Sequence, residues 1–374
     1  MSRQTHARTR ASILTAITAL VVAAVALAAG SPLSGPGVLR RASSPVDARA
    51  LAAQGPSPAP GSRARVFVAS EATNSVWVFE DTRPEPVRKI PTGHHVHNLA
   101  LSPDGRWVAT AARESDEVSL IDPLALAEVA RIKVGRAPHD VLFSPDSRTL
   151  YVTQEAAPFI SVIDVAARRR LPSLQVGIPQ HDIDITPDGR ELWLTVTGMP
   201  MRREPRRVRI VDLRSQKVVA RINTGRNAHD VIFTPDGKEA WIPNSGIPSV
   251  PDNHITVMDV ASRWVIAHHA VGRYPFHSPK AGKDGRYAPR APKVLWFSDH
   301  GLRQILAVDR RTGKVVAGIE VGEQPFHISF GPTGLLYVAA NASDWVAVID
   351  PSARKRVARL RVPRPHGLAV LEIR

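Results

Sequence analysis

GRAPHDVLFSPDSRTLYVTQEAAPFISVIDVAARRRLPSLQV, residues 135–176, is one unit of a repeat that runs through most of the chain. It contains four short β-type runs: HDVLFSP, TLYVTQ, ISVIDV and a last run ending at the next glycine, each bounded by turn residues. Four strands in about 40 to 50 residues mark one propeller blade. A helical solenoid would need a 3.6-residue period, which is absent here.

Related units begin at Gly93, Gly177, Gly225, Gly272 and Gly322, and with Gly135 the successive spacings are 42, 42, 48, 47 and 50 residues. Six full units end near Val362, and the chain ends supply complementary fragments. RVFVASEATNSVWVFEDTRPEPVRKIPTG (65–93) reads as second, third and fourth strands, and PRPHGLAVLEI (363–373) as a first strand alone. Joined, they make a seventh blade from both termini and leave no open sheet edge. The expected fold is all-β: a single seven-bladed β-propeller of four-stranded blades over 63–374, closed by N-terminal strands pairing with a C-terminal strand.

Residues 1–30 hold Arg3, Arg8 and Arg10, then an apolar run from Ile13 to Ala29, with no acidic residue. That is a signal-peptide profile, with small residues at Ala26, Ala28, Ala29 and Gly30 for cleavage; an uncleaved anchor is the alternative and the single expected membrane contact. Residues 31–62 are rich in Pro, Ala, Ser and Gly without periodicity and read as a linker. The expected location is periplasmic or extracellular.

The chain has no cysteine. For an exported protein this excludes disulfides, lipoprotein anchoring, covalent c-type haem and thiolate metal ligands. A metal site must use His, Asp, Glu or Met. The formal charge is +15, and the first 30 residues carry three arginines and no acid, so the rest keeps +12. Such a surface suits a small anionic ligand or an acidic protein partner, and export argues against nucleic acid.

The LYVTQE run (150–155), the SPDG, SPDS, TPDG and TPDG turns at 102–105, 144–147, 186–189 and 234–237, and SVIDV (161–165) resemble the YVTN family of β-propeller repeats. That family includes the d-type-haem (cytochrome d1-like) propeller of periplasmic nitrite reductases. The resemblance covers about residues 64–374 and implies the fold, while propellers host unrelated functions.

Counting four residues from each repeat glycine gives His97, His139, His181 and His229, and the split blade adds His366. Each begins a first strand, the strand that lines the channel. The other two units carry Phe276 and Phe326 there, with His277 and His327 one residue later. Strand alternation turns those two to the other face unless a bulge intervenes. The expected mouth is five histidines and two phenylalanines, with two histidines behind.

A Pro-His pair before a strand is common in such repeats as a structural bond to a neighbouring loop. Five at one equivalent position point instead to a ligand site. Neutral imidazole suits copper or zinc where thiolate is missing, and copper is the favoured metal. GHHVHNLALSPDGRW (93–107) resembles the double-His motif of nitrous oxide reductase, whose propeller, like that of thiocyanate dehydrogenase, holds copper with histidines from successive blades. That resemblance implies His94, His95 and His97 as counterparts; the cysteine-bearing electron-entry domain of that enzyme has no equivalent here.

The loops 197–207, 244–254 and 298–304 form a candidate rim offering Arg203, His254, Asp299 and His300, and Met199 and Met201 read as incidental. Asp140, Asp182 and Asp230 follow three ring histidines, and alternation directs them away from the channel into turn or inter-blade hydrogen bonds. Asp184 stands where other first strands carry an apolar or small residue. The aromatic series Phe67, Tyr151, Trp193, Trp241, Trp296 and Tyr337 recurs on second strands and reads as packing between sheets. Three functional readings follow: metal or metal-containing or anionic ligand binding at the mouth, a His-dependent oxidoreductase or lyase at the same place, or a protein-interaction scaffold. Mass spectrometry of the chain from its native compartment should give a mass lacking about residues 1–30; the full-length mass would establish the uncleaved anchor instead.

Overall fold

The computed structural model describes residues 61–196, 207–247, 250–280 and 293–373. The expected leader, the linker up to residue 60, and Met199, Met201 and Arg203 lie outside the described residues. Among the described residues no helix is long and apolar enough to cross a membrane.

Seven antiparallel sheets follow one another along the chain. Blade 1 joins the termini in the order Pro365–Ile373, Arg63–Ser70, Ser75–Glu80, Arg88–Pro91. Its closing register runs from Arg63 opposite Ile373 to Val68 opposite Leu368. Blades 2 to 7 begin with inner segments near His97, His139, His181, His229, Phe276 and Phe326. Seven apolar clusters fill the seven gaps between neighbouring blades, which closes the ring. The second-strand aromatics Phe67, Tyr151, Trp193, Trp241, Trp296 and Tyr337 are all buried in these layers. The Ser/Thr-Pro-Asp turns close on themselves: Ser102 and Ser144 each donate to the aspartate two residues on, at 2.6 Å, and accept the amide five residues on.

Blade 6 departs from the four-strand expectation. Its ladder has three strands, Val294–Asp299, Gln304–Asp309 and Val315–Glu320. The inner segment is held by a bridge between Pro275 and Asp299 and by amide bonds joining Phe276 and His277 to Ser298. Pro275 and Pro279 bracket this segment and lack the amide a continuous ladder needs.

The feature that builds the mouth is a β-bulge repeated at one place. In blades 1, 2, 3 and 7 three steps on the inner strand match two on its partner, at Pro365/Leu368, Val96/Leu99, Pro138/Val141 and Pro325/Ile328. The extra residue makes two consecutive side chains face the same way. A second-strand hydroxyl fixes the bulge. Thr153 accepts the Asp140 amide at 2.9 Å and donates to the His181 carbonyl of the next blade at 2.6 Å. Thr195 repeats this between the Asp182 amide and the His229 carbonyl, at 3.0 and 3.2 Å. The Thr of the YVT run is therefore both a bulge latch and a spacer between blades.

Position 367, one residue past the ring histidine of blade 1, is glycine because the neighbouring inner strand passes against it. A Cβ there would meet Leu99 N at 2.6 Å, Asn98 Cα at 2.7 Å and the His97 carbonyl oxygen at 2.8 Å, all backbone. Gly367→Ala should lower unfolding free energy by about 1–3 kcal/mol or prevent ring closure; an unchanged denaturation midpoint would refute the packing account.

Candidate functional site

The seven ring positions form one closed cycle of neighbours on the axis. Ring centroids lie 3.6 Å apart for His366–His97, 4.6 for His97–His139, 3.8 for His139–His181 and 4.4 for His181–His229. The cycle continues through His229–Phe276 at 4.0 Å, Phe276–Phe326 at 6.1 Å and Phe326–His366 at 4.3 Å. The five histidines are all buried.

Four of the five commit Nδ1 to an acceptor. His97 Nδ1 donates to Glu71 Oε1 at 2.9 Å, His181 Nδ1 to Asp182 Oδ2 at 2.8 Å, and His139 Nδ1 to the His181 carbonyl at 3.2 Å. His366 Nδ1 donates to Asn98 Oδ1 at 3.2 Å, and the Asn98 amide group in turn donates to Asp140 Oδ1 at 3.2 Å. These acceptors leave each Nε2 with its lone pair when the ring is neutral. His97 Nε2 and His139 Nε2 face each other at 3.0 Å.

Burial lowers the pKa of His97, partly offset by Glu71, and holds His139, His229 and His366 well below the usual imidazole range, with neighbouring histidines adding to the effect. His181 differs. Burial opposes its charging, but Asp182 and Glu155 together outweigh that and raise its pKa.

Directly beneath lies a second layer made by the bulge: Gly367, Asn98, Asp140, Asp182, Asp230, His277 and His327. The expectation that Asp140, Asp182 and Asp230 point away from the channel is overturned, because the bulge cancels one alternation. All three are fully buried and converge on Lys280 of blade 6, at 3.4, 4.0 and 2.6 Å from its ammonium. Residues of blades 3 and 6 can meet only on the axis. The inter-blade hydrogen bonds expected of them are present, as Asp140 accepts from Asn98 and from the Ile183 amide. The same bulge brings His277 and His327 into this layer, stacked at 4.0 Å, with His277 4.9 Å from His229 and His327 5.3 Å from His366.

Above the ring, one residue in each of six blades, at or just past the end of the second strand's pairing with the inner strand, donates its amide to the carbonyl two residues before the ring position. Glu71, Arg113, Glu155, Ser245, His300 and Asn341 share this bond. Glu71 also takes His95 at 3.5 Å, and Glu155 stands 3.8 Å from His139 Nε2 and 3.6 Å from His181 Nε2 while paired with Arg113. Burial pushes Glu71 up, but hydrogen bonds from His95 and His97 outweigh it and hold its pKa well below the ordinary range. His300 stacks on Phe276 at 3.6 Å and 11°, and removal from water pushes its pKa down to about 3. His94 is the outlier of the double-His motif: it is exposed and meets Asn74 at 3.5 Å. His254 is 51% exposed and bonded to Asp252, and Asp299 accepts the Arg273, Tyr274 and Leu302 amides as a loop brace.

Among the described residues, three sets of donor atoms are close enough to hold a metal ion: Glu71–His97–His366, His139–His181–Asp182 and Asp182–His229–His277, each within 4.8 Å. Glu71, Arg113, Glu155 and Lys280 were missed from sequence. The first three occupy one repeat position, so aligning the residue after each second strand, and not only the histidines, reveals them.

Asp184 lies deeper and is fully buried, accepting the Ile185 amide at 2.9 Å and the Phe233 amide at 3.4 Å. Burial raises its pKa to about 7, against the pull of Lys280. Between the ordinary aspartate value and about 7 the folded chain keeps a proton that the unfolded chain has released, so this group makes stability fall as pH rises. The slope integrates to roughly 4 kcal/mol. Asp184→Asn should remove it: thermal melts of wild type and variant should converge near the low-pH end and separate in favour of the variant above neutrality, and parallel curves would disprove the assignment.

The YNCE-like beta-propeller family model matches residues 37–158. No curated protein matches the chain. Among solved structures, Kuenenia stuttgartiensis hydrazine synthase superposes with a TM-score of 0.65 at 23% identity, covering 76% of this chain and 91% of that one. The dihydro-heme d1 dehydrogenase NirN, in complex with DHE, gives 0.58 at 19%, covering 81% and 74%. A functionally unknown protein from Desulfotomaculum acetoxidans gives 0.65 at 14%, covering 82% and 98%. These likenesses concern the fold. The chain is a seven-bladed β-propeller that matches the YNCE-like beta-propeller model over residues 37–158 and shares its fold with these solved structures.

Proposed function

We propose that this chain is an exported propeller that binds a metal ion, copper in preference to zinc, at the histidine ring. The observation that carries the reading is the His97–His139 pair, whose Nε2 atoms stand 3.0 Å apart while both Nδ1 atoms are committed as donors. Two neutral imidazoles so arranged aim lone pairs at each other, an arrangement that calls for a cation between them. A shared proton would charge one ring, which burial opposes at both. A metal needs no such charge. Two imidazoles on one ion at about 2.0–2.1 Å place their nitrogens roughly 2.9–3.4 Å apart for ligand angles from square to tetrahedral.

The surroundings support a cation over an anionic ligand. Asp140, Asp182 and Asp230 outnumber the Lys280 ammonium beneath the ring, and Glu71 and Glu155, the latter paired with Arg113, stand above it. Carboxylates bonded to Nδ1 raise imidazole basicity and fix its orientation. Imidazole-rich donor sets without thiolate favour copper or zinc.

Titration of the metal-free full chain with Cu2+ and with Zn2+ tests this. Wild type should bind at least one equivalent of Cu2+, and His97→Ala/His139→Ala should weaken it by more than the roughly 100-fold expected of an outer-shell change, whereas His254→Ala should not. Absence of binding above background, or equal affinity in the double variant, would remove the reading.

A further inference from the structure

Each blade ends in an outer strand whose far edge pairs with no other strand among the described residues. An open edge is a template for an incoming strand, and charge on it is the usual guard. The outer strands of blades 1, 2, 3, 4, 6 and 7 read RKIP, AEVARIK, RRLPSLQ, KVVARIN, VVAGIE and KRVARLR, each with at least one lysine, arginine or glutamate. That of blade 5, Val265–Ala270, reads VIAHHA and has none.

The same edge carries the most exposed tryptophan. Trp264, just before the strand, is 74% exposed, and Ile266 within it is 55% exposed. Elsewhere a basic side chain covers each tryptophan near the surface: Lys89 lies over Trp77 at 3.7 Å, Arg359 over Trp345 at 4.3 Å and Arg168 over Trp107 at 5.6 Å. Trp193, Trp241 and Trp296 are buried. Among the described residues Trp264 has neither kind of cover. The charges nearest it in sequence and across the sheet are used internally, as Arg263 pairs with Glu191 of blade 4 and Asp252 with His254 at 2.9 Å.

Charge decides what such an edge can take. The formal charge of +15 falls only to +12 without the three arginines of residues 1–30, so two copies of this chain repel. A two-fold interface sets one patch against itself, and any charge on it meets its like. The net-positive outer strands of blades 1, 2, 3, 4 and 7 fail that condition. The uncharged, apolar edge of blade 5 meets it, and it offers a charged partner no opposite charge to pair with.

We propose that the chain forms a two-fold dimer by antiparallel pairing of Val265–Ala270 with the same strand of a second copy. Centred on Ala267, the pairing sets Trp264 of each copy against Ala270 of the other and Ile266 against His268, which takes both exposed apolar groups out of water. The outer strand runs toward the mouth and lies at the rim. Antiparallel pairing therefore points the two histidine mouths to opposite sides and leaves both open, and the inference is independent of the metal reading.

Sedimentation equilibrium of the chain purified from its native compartment, over about 1 to 100 µM, should show a monomer–dimer equilibrium of roughly micromolar strength, as suits an edge this short. Ile266→Lys, which gives blade 5 the guard that other blades have, and Trp264→Ala should each weaken association about 30-fold or more. Leu124→Lys, at an exposed apolar site on blade 2, should leave it unchanged. Both edge positions are exposed, so the melting temperature of each variant should match wild type. Added salt should tighten the wild-type dimer by screening the repulsion between two basic rims. A wild type monomeric throughout that range, whatever other protein the edge captures, overturns the proposal. So does a dimer that survives both edge substitutions or one that salt dissociates.

Discussion

One extra residue in the inner strand is the constraint on which the rest of this structure depends. A regular strand of a propeller blade shows the channel every second side chain. The bulge shows it two in succession, and because it recurs at the same register the two become two stacked layers, imidazole above and carboxylate below. Without it Asp140, Asp182 and Asp230 would pack into the sheet faces, and His181 and His366 would lose the acceptors that orient them. The repeat supplies the means: a threonine hydroxyl that satisfies the bulged amide on one side and the next blade's carbonyl on the other.

The electrostatics follow from that stacking. Burial alone keeps most ring histidines neutral, which is the state a metal requires. Burial also pushes the Asp230 carboxyl toward its neutral form. Lys280, pulled far above its ordinary pKa by Asp230, Asp140, Asp182 and Asp184 despite burial, separates the two outcomes. In turn Lys280 and His277 keep Asp230 below its ordinary value against burial. Imidazoles at His139, His229 and His366 held low by burial, over an Asp230 carboxyl held low by Lys280, form a combination that burial alone does not produce.

The architecture was legible because it is a repeat: glycine spacing, turn chemistry and complementary termini each pointed to the same closed ring. The five ring histidines were legible for the same reason, since His97, His139, His181, His229 and His366 hold one register position. The second layer was not. Alternation is the default for a strand, and nothing in HDV or HDI announces a bulge; its cause is a threonine thirteen residues away in sequence and opposite only after folding. Lys280 was hidden for a related reason. It directly follows Pro279, where the sequence reads as the start of a long turn, and only ring closure brings blade 6 against blades 3, 4 and 5. Blade 6 itself broke the four-strand pattern where proline removes ladder donors.

The central claim is that the Nε2 atoms of this ring form a metal site. X-ray absorption at the copper edge of the full chain loaded with one equivalent addresses it most directly. A first shell with at least two imidazole nitrogens, recognisable by the outer-ring scattering of histidine, is expected. A shell of oxygen donors without imidazole scattering would contradict it.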